Sequence, residues 1–121
     1  RLHMLVYLAS PYSCNTKEER DFRFRKVCEM AAKLMKNGDE VFCPIAHSHP
    51  IEIHGMTEME GHDFWLKQDF AILQHCKKMF VYKMPGWTLS KGIAAEIMFA
   101  KAHSIPVEYL EFEENCRLVA A

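Results

Sequence analysis

Glu96 and Asp69 each interrupt a helical pattern that is otherwise apolar on the same side. In residues 90–102, Ile93, Ile97 and Ala100 share one stripe at helical spacing. Glu96 falls on the edge of that stripe, one turn from Gly92 and one turn from Ala100. In residues 62–75, Trp65, Ile72, Leu73 and Cys76 make the apolar stripe, and Asp69 lies in its middle. A carboxylate goes to such a place when something pairs with it or uses it. One reading is structural, with each acid meeting a lysine or a backbone N–H. The other is an active site, in which two carboxylates from neighbouring helices cleave a glycosidic bond. One would attack or steady the anomeric carbon, and the other would handle the proton.

Ser90 stands at the start of its helix, where a hydroxyl lies beside unpaired backbone N–H groups. Gly92 removes a side chain where a ligand could approach. Together they could hold a phosphate or a sugar hydroxyl, or Ser90 could be an ordinary N-cap. His47 and His49, with Glu52 and His54 nearby, raise the question of a metal. Their spacing matches no standard zinc pattern, so no metal is expected, and the two histidines are assigned to hydrogen bonding with a ligand or their own loop. Trp87 beside Pro85-Gly86 is placed to stack on a ligand ring, more so than Trp65. No cofactor is expected.

These residues need a scaffold, and the hydrophobic pattern supplies one. Residues 4–9 are a continuous apolar run ending at Ser10-Pro11, the mark of a central parallel strand buried on both faces. Thr16 and Glu19 resemble a capping box that opens a helix to about Asn37, with Phe24, Val27, Cys28, Ala31, Leu34 and Met35 inward. Asn37-Gly38 is its stop signal. A short strand over 41–43 is followed by a Pro-bounded loop over 44–50 and an irregular stretch to Gly61. Thr57 and Glu60 are candidate caps for the next helix. Strands over 78–82 and 105–110 flank the Ser90 helix. This alternation predicts a three-layer α/β domain of flavodoxin-like, Rossmann-like type, with a parallel sheet of four or five strands. Such sheets bind ligands outside the carboxyl ends of their strands. The loops carrying Ser10, Pro11 and Tyr12, then His47 and His49, then Trp87 to Ser90 thus form the expected site.

The totals bound the rest. A chain of 121 residues makes one domain, taken as 4–121, with residues 1–3 read as an expression scar before Met4. A net charge of −1 gives no electrostatic footprint for DNA, RNA or an anionic membrane. No apolar run reaches membrane-spanning length. Five cysteines, odd in number and without a CxxC pair, fit a reduced, cytoplasmic protein. Ala95, Met98, Phe99 and Ala102 form a second apolar stripe on the Ser90 helix, which points to a homo-oligomer unless another part of the chain covers it.

Three segments together resemble a known family. They are Leu5-Val6-Tyr7-Leu8-Ala9-Ser10-Pro11, Gln68-Asp69-Phe70-Ala71-Ile72-Leu73, and Ser90-x-Gly92-x-x-x-Glu96. Their order and setting are similar to the nucleoside 2-deoxyribosyltransferase superfamily, with the nearest likeness to a small branch related to deoxynucleoside monophosphate N-glycosidases. The resemblance implies a flavodoxin-like fold and a homo-oligomer. It implies that Glu96 is the nucleophile on C1′ of a (deoxy)ribose, that Asp69 positions or protonates the base, and that Tyr7 stands beside the nucleophile. Where the transferases carry an Asp that grips a free 5′-hydroxyl, this chain has Ser90, as the monophosphate glycosidases do to bind a 5′-phosphate. The expected activity is a nucleotide or nucleoside N-glycosidase or 2-deoxyribosyltransferase. The alternative is a non-catalytic module that senses or sequesters a nucleotide. The chain departs from the transferases in being shorter and in its His47-Ser48-His49 segment.

Overall fold

The computed structural model describes residues 5–55 and 60–114. Its first strand, β1 (Leu5–Ala9), alternates between two cores. Val6 and Leu8 face one side, and Tyr7 and Ala9 the other, all four fully buried. Helix α1 (Lys17–Lys36) follows, opened by Thr16, whose hydroxyl accepts the Glu19 N–H at 3.1 Å. It closes on Gly38 at φ +102, with Asp39 N–H donating back to Leu34 and Gly38 N–H to Met35. That left-handed closure needs a residue without a Cβ penalty, which is why the Asn-Gly stop signal was legible. Of the expected inward residues, Val27, Ala31 and Leu34 are buried, but Met35 is 52% exposed and Met30 takes its place in the core. The inward stripe of α1 rotates away from Met35 before the helix ends.

Strand β2 (Glu40–Phe42) leads into the main departure from expectation. Residues 44–50 are not a loop. They belong to helix α2 (Pro44–His54). Pro44 sits in its first turn, where a missing N–H costs nothing and the fixed φ suits a helix. Pro50 lies inside it and forfeits one hydrogen bond. The helix persists because Ile45 and Ala46 pack into the α1-side core and His49 stacks on Phe24 of α1 at 4.1 Å. Tertiary contact here outweighs local propensity.

Helix α3 (His62–Leu73) has Gly61 as its N-cap residue, without a side-chain cap. The expected cap Thr57 lies outside the described residues. Strand β3 (Lys78–Lys83), a 3₁₀ turn at Trp87–Leu89, helix α4 (Lys91–Ala102) and strand β4 (Val107–Glu111) complete the order. The four strands form a parallel sheet in the order β2-β1-β3-β4. The chain moves outward from β1 to β2 through α1, then crosses back to β3 and β4 through α3 and α4. Right-handed crossovers in opposite directions put α1 on one face and the α3–α4 pair on the other. The result is the three-layer, flavodoxin-like α/β arrangement, with its topological switch point between β1 and β3.

The second stripe of α4 is partly covered from within the chain, since Phe99 stacks on Phe70 of α3 at 4.3 Å. Met98 remains 73% exposed. Cys43 and Cys76 are buried as small core residues, and Cys14 and Cys28 are half-buried. All four are free thiols, and Cys116 lies outside the described residues. No helix among the described residues is long and apolar enough to cross a membrane.

Candidate active site

Just outside the carboxyl ends of β1 and β3, a cleft of about 420 Å³ opens between the loop after β1, the start of α2, and helices α3 and α4. Glu96 lies on its wall. The side chain is only 5% exposed, because helical spacing carries it onto the sheet-facing side of α4 between Ile93 and Ala100. Tyr7, fully buried in the centre of β1, donates its hydroxyl to Glu96 Oε2. Asp69 reaches the same cleft from α3. Burial pushes Glu96 up to about 8, and the nearby Asp69 charge adds to this while the Tyr7 hydrogen bond works against it. Burial likewise pushes Asp69 up to about 7. Burial, and then the Glu96 charge, raises the Tyr7 phenol well above its ordinary value. Both carboxyl groups thus keep their protons to a higher pH than free carboxylates do.

At the other end of the cleft, Ser90 caps α4. Its Oγ accepts the Ile93 N–H at 3.1 Å, so its own proton remains available for a further acceptor. Gly92 lines the cleft beside it. A Cβ at that position would meet only Ser90 Oγ at 3.7 Å, an ordinary contact. The protein's own packing therefore does not demand a glycine there, although glycine costs about 1 kcal/mol inside a helix. Lys91 brings a positive charge to the same end. Ser10, one residue past β1, is nine-tenths buried. Its Oγ is the one buried side-chain oxygen without a hydrogen-bond partner among the described residues. A buried orphan hydroxyl on a cleft wall is a group suited to a ligand.

Tyr12 also lines the cleft and carries it into a second lobe of about 280 Å³ with Ser48, His49, Glu52 and Trp65. His49 is 9% exposed. Its Nδ1 lies 2.6 Å from Tyr12 Oη, and its Nε2 faces Asp21 Oδ1 at 3.7 Å.

The structure thus brings together Tyr7, Asp69, Glu96, Ser10, Tyr12, Ser90 and Gly92, with His49 behind Tyr12. Three other candidates fall elsewhere. Pro11 is fully buried and lends rigidity to the turn. His47 is exposed, with its ring against Phe42 at 5.5 Å, and lines a separate pocket with Gln68, Ile72 and the far side of Asp69. Trp87 packs against the core on the α3–α4 side of the sheet and against Tyr109 at 5.7 Å, so Trp65 is the tryptophan at the cleft. Sequence reasoning weighed Glu52 only in the metal question and passed over Asp21. Glu52 lies one turn from His49, a signal that becomes readable only once residues 44–54 are seen to be helical. Among the described residues no group of three or more His, Cys, Asp or Glu side chains is arranged to hold a metal ion.

A four-stranded parallel sheet flanked by helices, with Glu96 buried and Asp69 half-buried beside its switch point, places the protein in the flavodoxin-like class of α/β domains. Within that class, residues 4–112 match the family described as "Domain of unknown function (DUF1937)", and the chain belongs to it. No curated protein matches the sequence.

Proposed function

We propose that the protein cleaves the N-glycosidic bond of a nucleotide or nucleoside through a glycosyl–Glu96 intermediate, as an N-glycosidase or a 2-deoxyribosyltransferase. The observation that carries this reading is the buried Tyr7–Glu96 hydrogen bond at a cleft that Asp69 shares. The reactive form is the minor arrangement of the pair, with Glu96 ionised and the proton on Asp69, since burial holds Glu96 higher than Asp69 in the free protein. The Glu96 carboxylate attacks C1′, the C1′–N bond breaks, and Asp69 passes its proton to the departing base nitrogen. Water or a second base then attacks C1′, releases Glu96 and returns a proton to Asp69. Tyr7 holds one oxygen of the nucleophile and leaves the other for the sugar. The Ser90 proton, the first N–H groups of α4 and Lys91 suit a 5′-phosphate, which favours nucleotides over nucleosides.

One observation favours a second reading. With Glu96 raised to about 8, a neutral carboxyl group prevails at pH 7 in the free protein, and a neutral acid binds a ligand by hydrogen bonding without attacking it. That is the expectation for a module that senses or sequesters a nucleotide. The two are separated by incubating the protein with a panel of nucleoside 5′-monophosphates and following free base. The glycosidase reading expects turnover that falls by about 1,000-fold or more in Glu96→Gln, with nucleotide binding retained. Tight binding without base release from any nucleotide would leave the sequestering module.

A further inference from the structure

We infer that the lobe between Tyr12, Glu52 and Trp65 selects a base with an exocyclic amino group, of the cytosine or adenine type, over its oxo counterpart, because Tyr12 is held there as a hydrogen-bond acceptor only. This rests on the nucleotide reading of the neighbouring cleft and specifies the substrate class.

Tyr12 has one proton to give, and two protein groups compete for it. His49 Nδ1 lies 2.6 Å from the phenol oxygen. Its other nitrogen faces the Asp21 carboxylate at 3.7 Å, which in the neutral ring favours the proton on Nε2 and leaves Nδ1 as an acceptor. The ring cannot swing away, since it is buried and stacked on Phe24 at 4.1 Å. The second competitor is Glu52, one turn along α2, whose carboxylate also acts on the Tyr12 phenol. Whichever neighbour takes the proton, none is left for a ligand, and the phenol oxygen offers only lone pairs.

The remainder of the lobe has the same polarity. Glu52 and Glu60 line it with acceptor-rich carboxyl groups, and no Lys or Arg is among the described residues that line it. Trp65 gives an aromatic surface for a ring to lie on. An exocyclic amino group finds an acceptor on such a wall. A carbonyl oxygen at the same place would meet lone pairs with no proton between them, and both would be left desolvated. Positive charge near the base gains further from the surrounding acids. The Lys91 end of the cleft has the opposite polarity, so a nucleotide is oriented with its phosphate at α4 and its amino edge at Tyr12.

Two nucleotide pairs test this, because within each pair the exocyclic amino group is replaced by an oxo group and the adjacent ring nitrogen gains an N–H. They are cytidine against uridine 5′-monophosphate and adenosine against inosine 5′-monophosphate. Affinity is measured by calorimetry and base release by chromatography. The amino member of each pair should bind on the order of 100-fold more tightly. Tyr12→Phe should bring that ratio close to one, mainly by weakening the amino member, whereas a purely structural loss would weaken both members alike. Glu52→Gln, which puts an N–H donor on the wall, should narrow the ratio by improving the oxo member. Preference for the amino members without base release would uphold this inference and overturn the glycosidase reading. Base release with no preference, or with preference for the oxo members, would overturn this inference and leave that reading standing. Failure of all four nucleotides to bind would overturn both.

Discussion

Tyr7 and Tyr82 are both fully buried on central strands, and they face opposite sides of the same sheet. Their hydroxyls end on different kinds of partner. Tyr82, on the α1 side, donates to the Glu113 carbonyl at 3.3 Å and accepts the Glu113 N–H at 3.0 Å. It ties the segment after β4 to the core through these two neutral backbone groups. Tyr7, on the α3–α4 side, donates to a carboxyl group at the edge of an open cleft. One face of the sheet thus spends its buried hydroxyl on closing the structure, and the other holds a group that can change its charge. The two tyrosines look alike by burial and differ in the partners their hydroxyls meet.

The largest effect expected from this difference is on stability as pH changes. Glu96 rises from 4.5 to about 8 on folding, and Asp69 from 3.8 to about 7. The folded protein therefore holds these protons after the unfolded chain has lost them. Their contribution to stability is complete below about pH 4 and is lost as pH rises through 7 to 8, with a slope of up to about 1.4 kcal/mol per pH unit for each group. Thermal melts at pH 5 and pH 8.5 should show the wild type losing stability at the higher pH. Glu96→Gln should flatten that decline and melt higher than wild type at pH 8.5. A wild-type stability that rises over this interval would show that neither carboxyl group is held protonated.

Tyr7→Phe should come next. It removes the donor from Glu96, so base release should fall by about 100-fold. A phenylalanine fills nearly the same space, and the fold should be retained by circular dichroism. Tyr82→Phe sharpens the contrast with the smallest effect. It strands the Glu113 N–H and should cost about 1 kcal/mol in denaturant unfolding, with nucleotide turnover unchanged. If Tyr82→Phe impaired turnover as much as Tyr7→Phe, the division of labour between the two faces would fail.

The sequence made the carboxylate pair legible because each acid breaks an apolar stripe at a definite helical phase. Burial then places both on the inner side, where the phase said they would be. Strand β1 was legible because five apolar residues in succession fit a strand covered on both faces. The two ends of α1 were legible because Thr16 and Gly38 carry local chemistry. Helix α2 was not, since Pro44, Pro50 and a His-Ser-His run argue locally for a loop. It is held by Phe24, Ile45 and Ala46, contacts that no window of sequence contains. The choice between Trp65 and Trp87 was missed for a related reason. Each follows a plausible turn signal, and only the position of β4, which places Tyr109 against Trp87, decides which ring is free to face a ligand. The Tyr12–His49 contact likewise depends on α1 and α2 meeting.

The strand order carries a consequence for how the chain becomes folded. β1 is central, yet none of its partners is near it in sequence, because every neighbouring pair in the sheet is parallel and needs a crossover. Its ladder to β2 joins only three residues on the partner strand. Its ladder to β3 reaches Ala9 against Val81 and cannot form until that strand has emerged during synthesis. Until then the apolar run of β1 has α1 to lean on and one short edge strand to pair with. Assembly must therefore await a long-range encounter, a slow step in chains of this topology. Throughout that delay, the segment carrying Tyr7 is also the one most open to association with other unfinished chains.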